Sequence, residues 1–332
     1  MDTPIFKWKR GEAILQHDVQ IEDPPSQAQM DQWTAQWKPD GFVRLILDVG
    51  RRRLLPQAWI YGFFYTYATS LVRPAFLCGK ISLVGWWYYF PLAMLFKTPL
   101  ATLSSMALAL AVGISSFRLF KIDSRNLISF LVAPAIYFIS ALRTHLNIGL
   151  RHILPVYPFL SIAVGVMAAM ALRRWPRYTA IVLAGLALCL VLETSGAYPD
   201  YIPYFNEACG ARGGLALLGD SNLDWGQELF ALADWMRAHP DRQLYFCSFG
   251  MADPKYYQLH YIMLPGSLSG FPDQTRPNHG YPVIALSPTA LQGQFLPFTE
   301  YGLYAPYRHA KPIAVRGGAL YLFDPFEVRH NP

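Results

Sequence analysis

Four stretches of the chain, 98–117, 126–142, 153–172 and 178–192, contain no Asp, Glu, Lys or Arg and are dominated by apolar residues. A helix needs roughly 20 predominantly apolar residues, about 17–25, to cross the hydrocarbon core of a bilayer. Four transmembrane helices are therefore expected. Pro99 suits the first turn of its helix, where the missing N–H is no loss. Pro134 falls inside the second stretch and predicts a kink. The fourth stretch is short and ends against Glu193. Before these, 81–96 is uncharged but crowded with Trp86, Trp87, Tyr88, Tyr89 and Phe90, and Pro91 interrupts it. Such rings favour the headgroup level, which predicts an interfacial or re-entrant element; a buried aromatic core is the alternative. Further upstream, 42–80 breaks its apolar pieces with Arg51, Arg52, Arg53, Arg73 and Lys80, and 1–40 is polar, so neither is expected to span.

After 193 the rhythm changes. Trp225, Leu229, Leu232 and Met236 recur at helical spacing, predicting a helix over 225–238 with Asp224 as its N-cap. Strands are expected at 243–248 and 281–286, with Ser287-Pro288 as an N-cap followed by Pro at the first helical position. The pair Gly317-Gly318 between 313–315 and 319–323 reads as a hairpin. The expected class is thus an α-helical integral membrane protein with a C-terminal small α/β domain. Its parts are 1–80 as an N-terminal and loop region, 81–193 as the membrane domain, and 194–332 as the α/β domain.

Composition agrees: 53% hydrophobic against 15% charged residues, with mean hydropathy +0.20, is a membrane balance. The net charge of +6 resembles a nucleic-acid signal only until it is mapped. Arg118, Lys121 and Arg125 lie between the first two spans, and Arg173, Arg174 and Arg177 between the last two. Basic loops stay cytoplasmic, so 1–97, 143–152 and 194–332 are expected on the outer face, and no nucleic-acid partner is expected. The outer loop 143–152 is nevertheless basic, with Arg143, His145, Arg151 and His152. Topology does not require cations there. Either they snorkel to interfacial phosphates or they form a dedicated phosphate site. The four cysteines have no metal spacing; one pair could bridge, and the sequence does not say which.

In the segment 219–227, Asp220, Asn222 and Asp224 alternate as calcium ligands do. The required Gly comes one place late and Ala231 stands where a Glu is needed, so no metal is expected. Two readings remain for Asp220, Asn222, Asp224 and Gln227. One is a turn rich in Asx hydrogen bonds that feeds a helix. The other is the polar, sugar-facing edge of a substrate cleft.

Gly-Trp-Trp-Tyr-Tyr-Phe-Pro-Leu-Ala-Met-Leu-Phe-Lys-Thr-Pro at 85–99, Arg-His-Ile-Leu-Pro-Val-Tyr-Pro at 151–158 and Asp-Ser-Asn-Leu-Asp-Trp-Gly-Gln at 220–227 occur in that order. Together they resemble bacterial membrane glycosyltransferases related to the dolichyl-phosphate-mannose protein mannosyltransferases, which have the GT-C fold. The resemblance runs from about Leu54 to the end. It implies an enzyme of the bacterial inner membrane that transfers a sugar from a polyprenyl-phosphate carrier to an acceptor on the outer face, without a cofactor. In such a reaction an acidic side chain takes the acceptor's proton and the lipid phosphate leaves. Arg151 and His152, then Arg143 and His145, are the residues expected to hold that phosphate. The family's acidic pair lies in an outer loop behind an N-terminal span, whereas Asp18, Glu22 and Asp23 here follow no apolar run. Related sequences also tend to have Gly-Glu where this chain has Gly79-Lys80. The chain therefore reads as the C-terminal portion of such an enzyme, with its catalytic acid unassigned. A non-catalytic membrane subunit whose outer domain binds carbohydrate or a partner protein is the alternative. A transporter fragment is disfavoured, because the spans hold no ionisable Asp, Glu, Lys or Arg to mark a path.

Overall fold

The computed structural model of the chain describes residues 41–71, 73–116, 124–210, 213–267, 280–296 and 302–328. Asp18, Glu22, Asp23, Arg118 and Lys121 lie outside the described residues. The chain is mostly helical, with a small sheet region. Two helices, α1 (Gly41–Arg51) and α2 (Gln57–Leu71), occupy the stretch expected not to span; α2 has 15 residues, too few to cross. Two short strands follow as an antiparallel hairpin, β1 (Ala75–Leu77) and β2 (Lys80–Ser82).

The aromatic element becomes helix α3 (Tyr89–Lys97), and it corrects one expectation. Pro91 is the third residue of this helix and does not break it, because the first turn has no intrahelical N–H bonds to lose. The break comes later. Pro99 disfavours a helical Thr98, which is extended at φ −88° and ψ 133°. The chain therefore turns by 115° between α3 and α4 (Leu100–Ser116). The buried-core reading of the aromatic run is met in part. Tyr89 and Phe90 are buried in a core with Leu77, Ala141, Ile153 and Leu218, while Trp87 stays outside, 69% exposed.

Helix α5 (Ser124–Leu142) carries Pro134 within it. A 3₁₀ turn (Leu150–Val156) leads into α6 (Tyr157–Arg174), and α7 (Pro176–Ala197) follows after Trp175. Two segments, Leu150–Arg174 and Pro176–Ala197, are long and apolar enough to cross a membrane, and the bent pair α3 and α4 gives a third if counted as one span. In α5 the apolar stretch among the described residues is Phe130–Leu142. The fourth expected stretch is longer than its sequence suggested, at 22 residues, because Glu193 does not end it. Its carboxylate accepts the backbone N–H of Ala101 at 3.2 Å, an otherwise unpaired donor in the first turn of α4. No residue of α7 is buried, and Ile181, Leu188 and Val191 are each at least 59% exposed. So apolar a helix surface needs a non-aqueous neighbour. The two helices therefore suggest association with a membrane.

Beyond α7 lie a short helix α8 (Gly213–Leu217) and α9 (Leu229–Ala238), then a five-stranded mixed sheet. Its strands are β3 (Arg242–Cys247), β4 (Tyr261–Met263), β5 (Tyr281–Leu286), β6 (Ala314–Arg316) and β7 (Leu320–Phe323), in the order β4-β3-β5-β7-β6. β3 runs parallel to β4 and β5; β7 runs antiparallel to β5 and β6. Leu229, Leu232 and Trp235 of α9 pack on Leu244, Phe246, Val283 and Leu322 of the sheet. Gly317 and Gly318 have φ of 55° and 70°, left-handed values that glycine adopts freely, and Arg316 pairs with Leu320 across the turn, so the expected hairpin is present. Ser287 accepts the N–H of Ala290 at 3.3 Å and caps α10 (Pro288–Gln292) as expected. All four cysteines are free.

Candidate functional site

The 143–152 loop and the 219–224 segment close on each other. Gly149 lies so near Ser221 that an added Cβ would overlap its Oγ, and that hydroxyl donates to the carbonyl of Ile148. Leu150 N–H donates to Asn222 Oδ1 at 3.1 Å. The amide nitrogen of Asn222 donates to Tyr89 Oη at 2.8 Å and to the Gly219 carbonyl at 2.9 Å. Lys97 Nζ donates to the carbonyls of Asn222 at 2.8 Å and Ile202 at 2.6 Å, and stands 4.4 Å from the ring centre of Phe205. Asn222, only 2% exposed, therefore ties α3, the start of the Leu150–Arg174 segment and the 219–224 turn into one polar junction. Asn206, equally buried, anchors the bend between α3 and α4 through the carbonyls of Leu95 and Thr98 at 2.6 and 2.9 Å.

Over this junction lies a cationic cluster. Arg73 Nη2 contacts Asp220 Oδ2 at 3.4 Å, joining residues 147 positions apart. Asp220 is 1% exposed; burial raises its pKa, and Arg73 and the Ser221 N–H oppose that rise. The guanidinium of Arg151 stacks on Trp225, 4.4 Å from the ring centre. A planar guanidinium on an aromatic face keeps its fork of donors free at the edge. His152 is half-buried within electrostatic reach of both Arg151 and Arg73. Two buried nitrogens of this cluster have no hydrogen-bond partner among the described residues: Arg73 Nε and His152 Nε2. Buried polar atoms are normally satisfied, and Arg Nε is always a donor. Arg73 paired with Asp220, Arg151 within electrostatic reach of the same carboxylate and a donor unsatisfied among the described residues make an arrangement whose chemistry suits an anion with several acceptor oxygens.

The expected site residues divide sharply. Arg151 and His152 enter the cluster. Arg143 and His145 are exposed at the end of α5, and His145 Nδ1 donates to the Val84 carbonyl at 2.5 Å. The structure does not bring that pair to Asp220. Asp220, Asn222 and Asp224 are at most 2% exposed, and their oxygens engage the chain itself rather than lining an open edge. Gln227 likewise turns inward, accepting from Trp225 N–H at 2.7 Å and donating to the Leu223 carbonyl at 3.1 Å.

Asp224 is not an N-cap. Helix α9 starts four residues later than expected, at Leu229 after Glu228, and Asp224 instead accepts the Gly226 N–H at 2.7 Å in an Asx turn. It faces Glu228, and the two carboxyls line a small cavity with Ser248, Phe249 and Gly250. Burial raises the pKa of both, and the Asp224 carboxyl raises Glu228 further, far above the carboxylate range. Among the described residues no cluster of three or more metal-ligating side chains occurs. Arg73, Lys97, Tyr89 and Glu228 were not legible as site residues. Arg73 was one cation among several in 42–80, and nothing near it in sequence marks it.

Compared with family models, characterised proteins and solved structures, the chain gives no match. What fold and site define is a mostly helical protein with two membrane-length helices and a small mixed sheet, carrying an anion-type cluster where the two parts meet.

Proposed function

We propose that this chain is a membrane glycosyltransferase, or the C-terminal part of one, moving a sugar from a polyprenyl-phosphate carrier to an acceptor at the outer face of a bacterial inner membrane. The observation that carries the reading is the Arg73–Arg151–His152 cluster, with an Arg73 Nε unpartnered among the described residues, at the head of a helix long enough to cross a bilayer. On this reading the cluster lies at headgroup depth, where a lipid phosphate resides. As the glycosidic bond breaks, the departing phosphate gains negative charge, and fixed cations in a partly dry site stabilise the transition state more than the ground state. Arg151 offers a bidentate fork and Arg73 its free Nε–H. The reading includes four spans, with 194–332 on the outer face. Thr98 Oγ1 meets Tyr157 Oη at 2.6 Å and Glu193 meets Ala101, so one end of the bundle gathers the starts of α4 and α6 and the end of α7. Arg173 and Arg174 lie at the far end of the 18-residue α6, about 27 Å away at 1.5 Å per residue, which supports a cytoplasmic position for them. A membrane subunit whose sheet region binds carbohydrate or a partner protein is a second reading. It is favoured by Asp220, the carboxylate at the cluster, being committed to Arg73 rather than free to take a proton.

The test is phosphate recognition in reconstituted membranes, followed by photo-crosslinking to a diazirine-bearing polyprenyl phosphate and, with the full enzyme, by sugar transfer. Losing a charge-assisted contact worth roughly 2.7–4 kcal/mol slows transfer by about 10²–10³-fold. Arg151→Ala and Arg73→Ala are expected to lose both readouts. Arg151→Lys recovers only part, because a point charge lacks the fork. Arg143→Ala stays near wild type. Free interchange of Arg151 with Lys and Ala would reduce the cluster to an interfacial anchor.

A further inference from the structure

The α1–α2 hairpin has no role in the anion site, yet its surface is built in an unusual way. Val43, Ile60 and Phe64 bury themselves between the two helices. On α1, at 3.6 residues per turn, Phe42, Leu45 and Val49 then fall on one outer flank and Arg44, Asp48 and Arg51 on the opposite flank. Phe42 and Leu45 are 54% and 58% exposed. The apolar flank does not stop at α1. Phe42 meets the edge of Phe63 at 5.7 Å, and Phe63 stacks between Trp59 at 5.7 Å and Tyr67 at 6.2 Å, so one aromatic face crosses both helices. Leu54, in the turn between them, is 67% exposed.

Charge completes the pattern. Between 41 and 56 there are four arginines, three of them consecutive at Arg51, Arg52 and Arg53, against one acid, Asp48. The end of α2 at Leu71 is two residues from Arg73 of the cationic cluster. An aromatic face on one side, a basic flank on the other and a helix too short to span define an element that lies in the membrane plane. Aromatic rings and arginines together suit the headgroup boundary of an anionic leaflet.

We infer that the α1–α2 hairpin docks on an anionic phospholipid surface, with Phe42, Leu45, Trp59 and Phe63 against the acyl boundary and Arg52 and Arg53, in the turn after α1, against headgroup phosphates. The inference rests on membrane association and not on sugar transfer. It fixes the height of Arg73 over the bilayer.

Spin labels on the full chain in nanodiscs test it, in a background with Cys78, Cys189, Cys209 and Cys247 replaced by Ala. In discs rich in phosphatidylglycerol, Leu45→Cys is expected to relax several-fold more with oxygen than with an aqueous nickel chelate, and Asp48→Cys the reverse. Neutralising Arg52 and Arg53 to Gln, or using phosphatidylcholine alone, is expected to shrink that contrast at least two-fold. Equal accessibility of the two labels to both reagents overturns the proposal. So does a Leu45 label closed to both, which would report cover by residues 1–40 or by a second copy of the chain. A contrast indifferent to lipid charge overturns the headgroup contact.

Discussion

Replacing Glu228 with Gln should change how stability depends on pH rather than stability as such. Glu228 is 3% exposed, its Oε1 has no partner among the described residues, and Asp224, 2% exposed, faces it. The β6–β7 turn covers it so closely that a Cβ at Gly317 would come within 2.6 Å of Glu228 Cγ, and the acidic Asp200 adds to the negative potential. Burial first, and Asp224 second, keep a proton on this pair that the unfolded chain gives up above the ordinary carboxylate pKa of about 4.3. The native state thus binds more protons than the unfolded state, and stability falls as pH rises from that value toward the raised one. One proton is worth about 1.4 kcal/mol per pH unit, so between about pH 6 and pH 9 the loss approaches 4 kcal/mol. That is a large share of a typical 5–15 kcal/mol. Glu228→Gln keeps the shape, cannot ionise and can still donate to Asp224. Pulse proteolysis of the full chain in detergent, at fixed protease and increasing urea, gives stability at each pH. The difference between wild type and variant isolates this pair from every other titrating group. The variant is expected to gain on the wild type steadily above pH 6. Parallel pH profiles for the two proteins would refute the shared proton.

Gly149→Ala should destabilise the junction by about 1–3 kcal/mol, because its Cβ overlaps Ser221 Oγ. Adding Ser221→Gly should relieve much of that in thermal unfolding, and a neutral Gly149→Ala would show that the loop can part from 219–224 freely. For topology, single cysteines at Met251 and Tyr178, both more than 70% exposed, should behave oppositely in intact cells. An impermeant maleimide is expected to label Met251→Cys and spare Tyr178→Cys; the reverse would invert the orientation.

The features that the sequence by itself determined are those carried by neighbours in the chain. Uncharged apolar runs announced the long helices around 157–174 and 176–197. The run 281–286 read as a strand and forms β5, Ser287 capped α10 because its hydroxyl reaches a donor three residues on, and paired glycines made the β6–β7 turn. Tertiary structure decided the polar interior. Asp224 and Glu193 illustrate why. Read locally, Asp224 is an N-cap and Glu193 a helix stop, since a capping oxygen and a charge ending an apolar run are sound local signals. In the fold, Glu193 finds the Ala101 N–H, 92 residues away, and helix α7 runs on through it. Asp224 finds Glu228 and the Gly226 N–H, and α9 begins later. Arg73 became a site residue through Asp220, and Asn222 a junction through Tyr89, 133 positions away, and Leu150, 72 away. A buried polar group must find a partner wherever the chain brings one, because an unpaired one costs about 1–3 kcal/mol. Local patterning places apolar faces, but which distant donor meets which acceptor is settled only when those faces have packed.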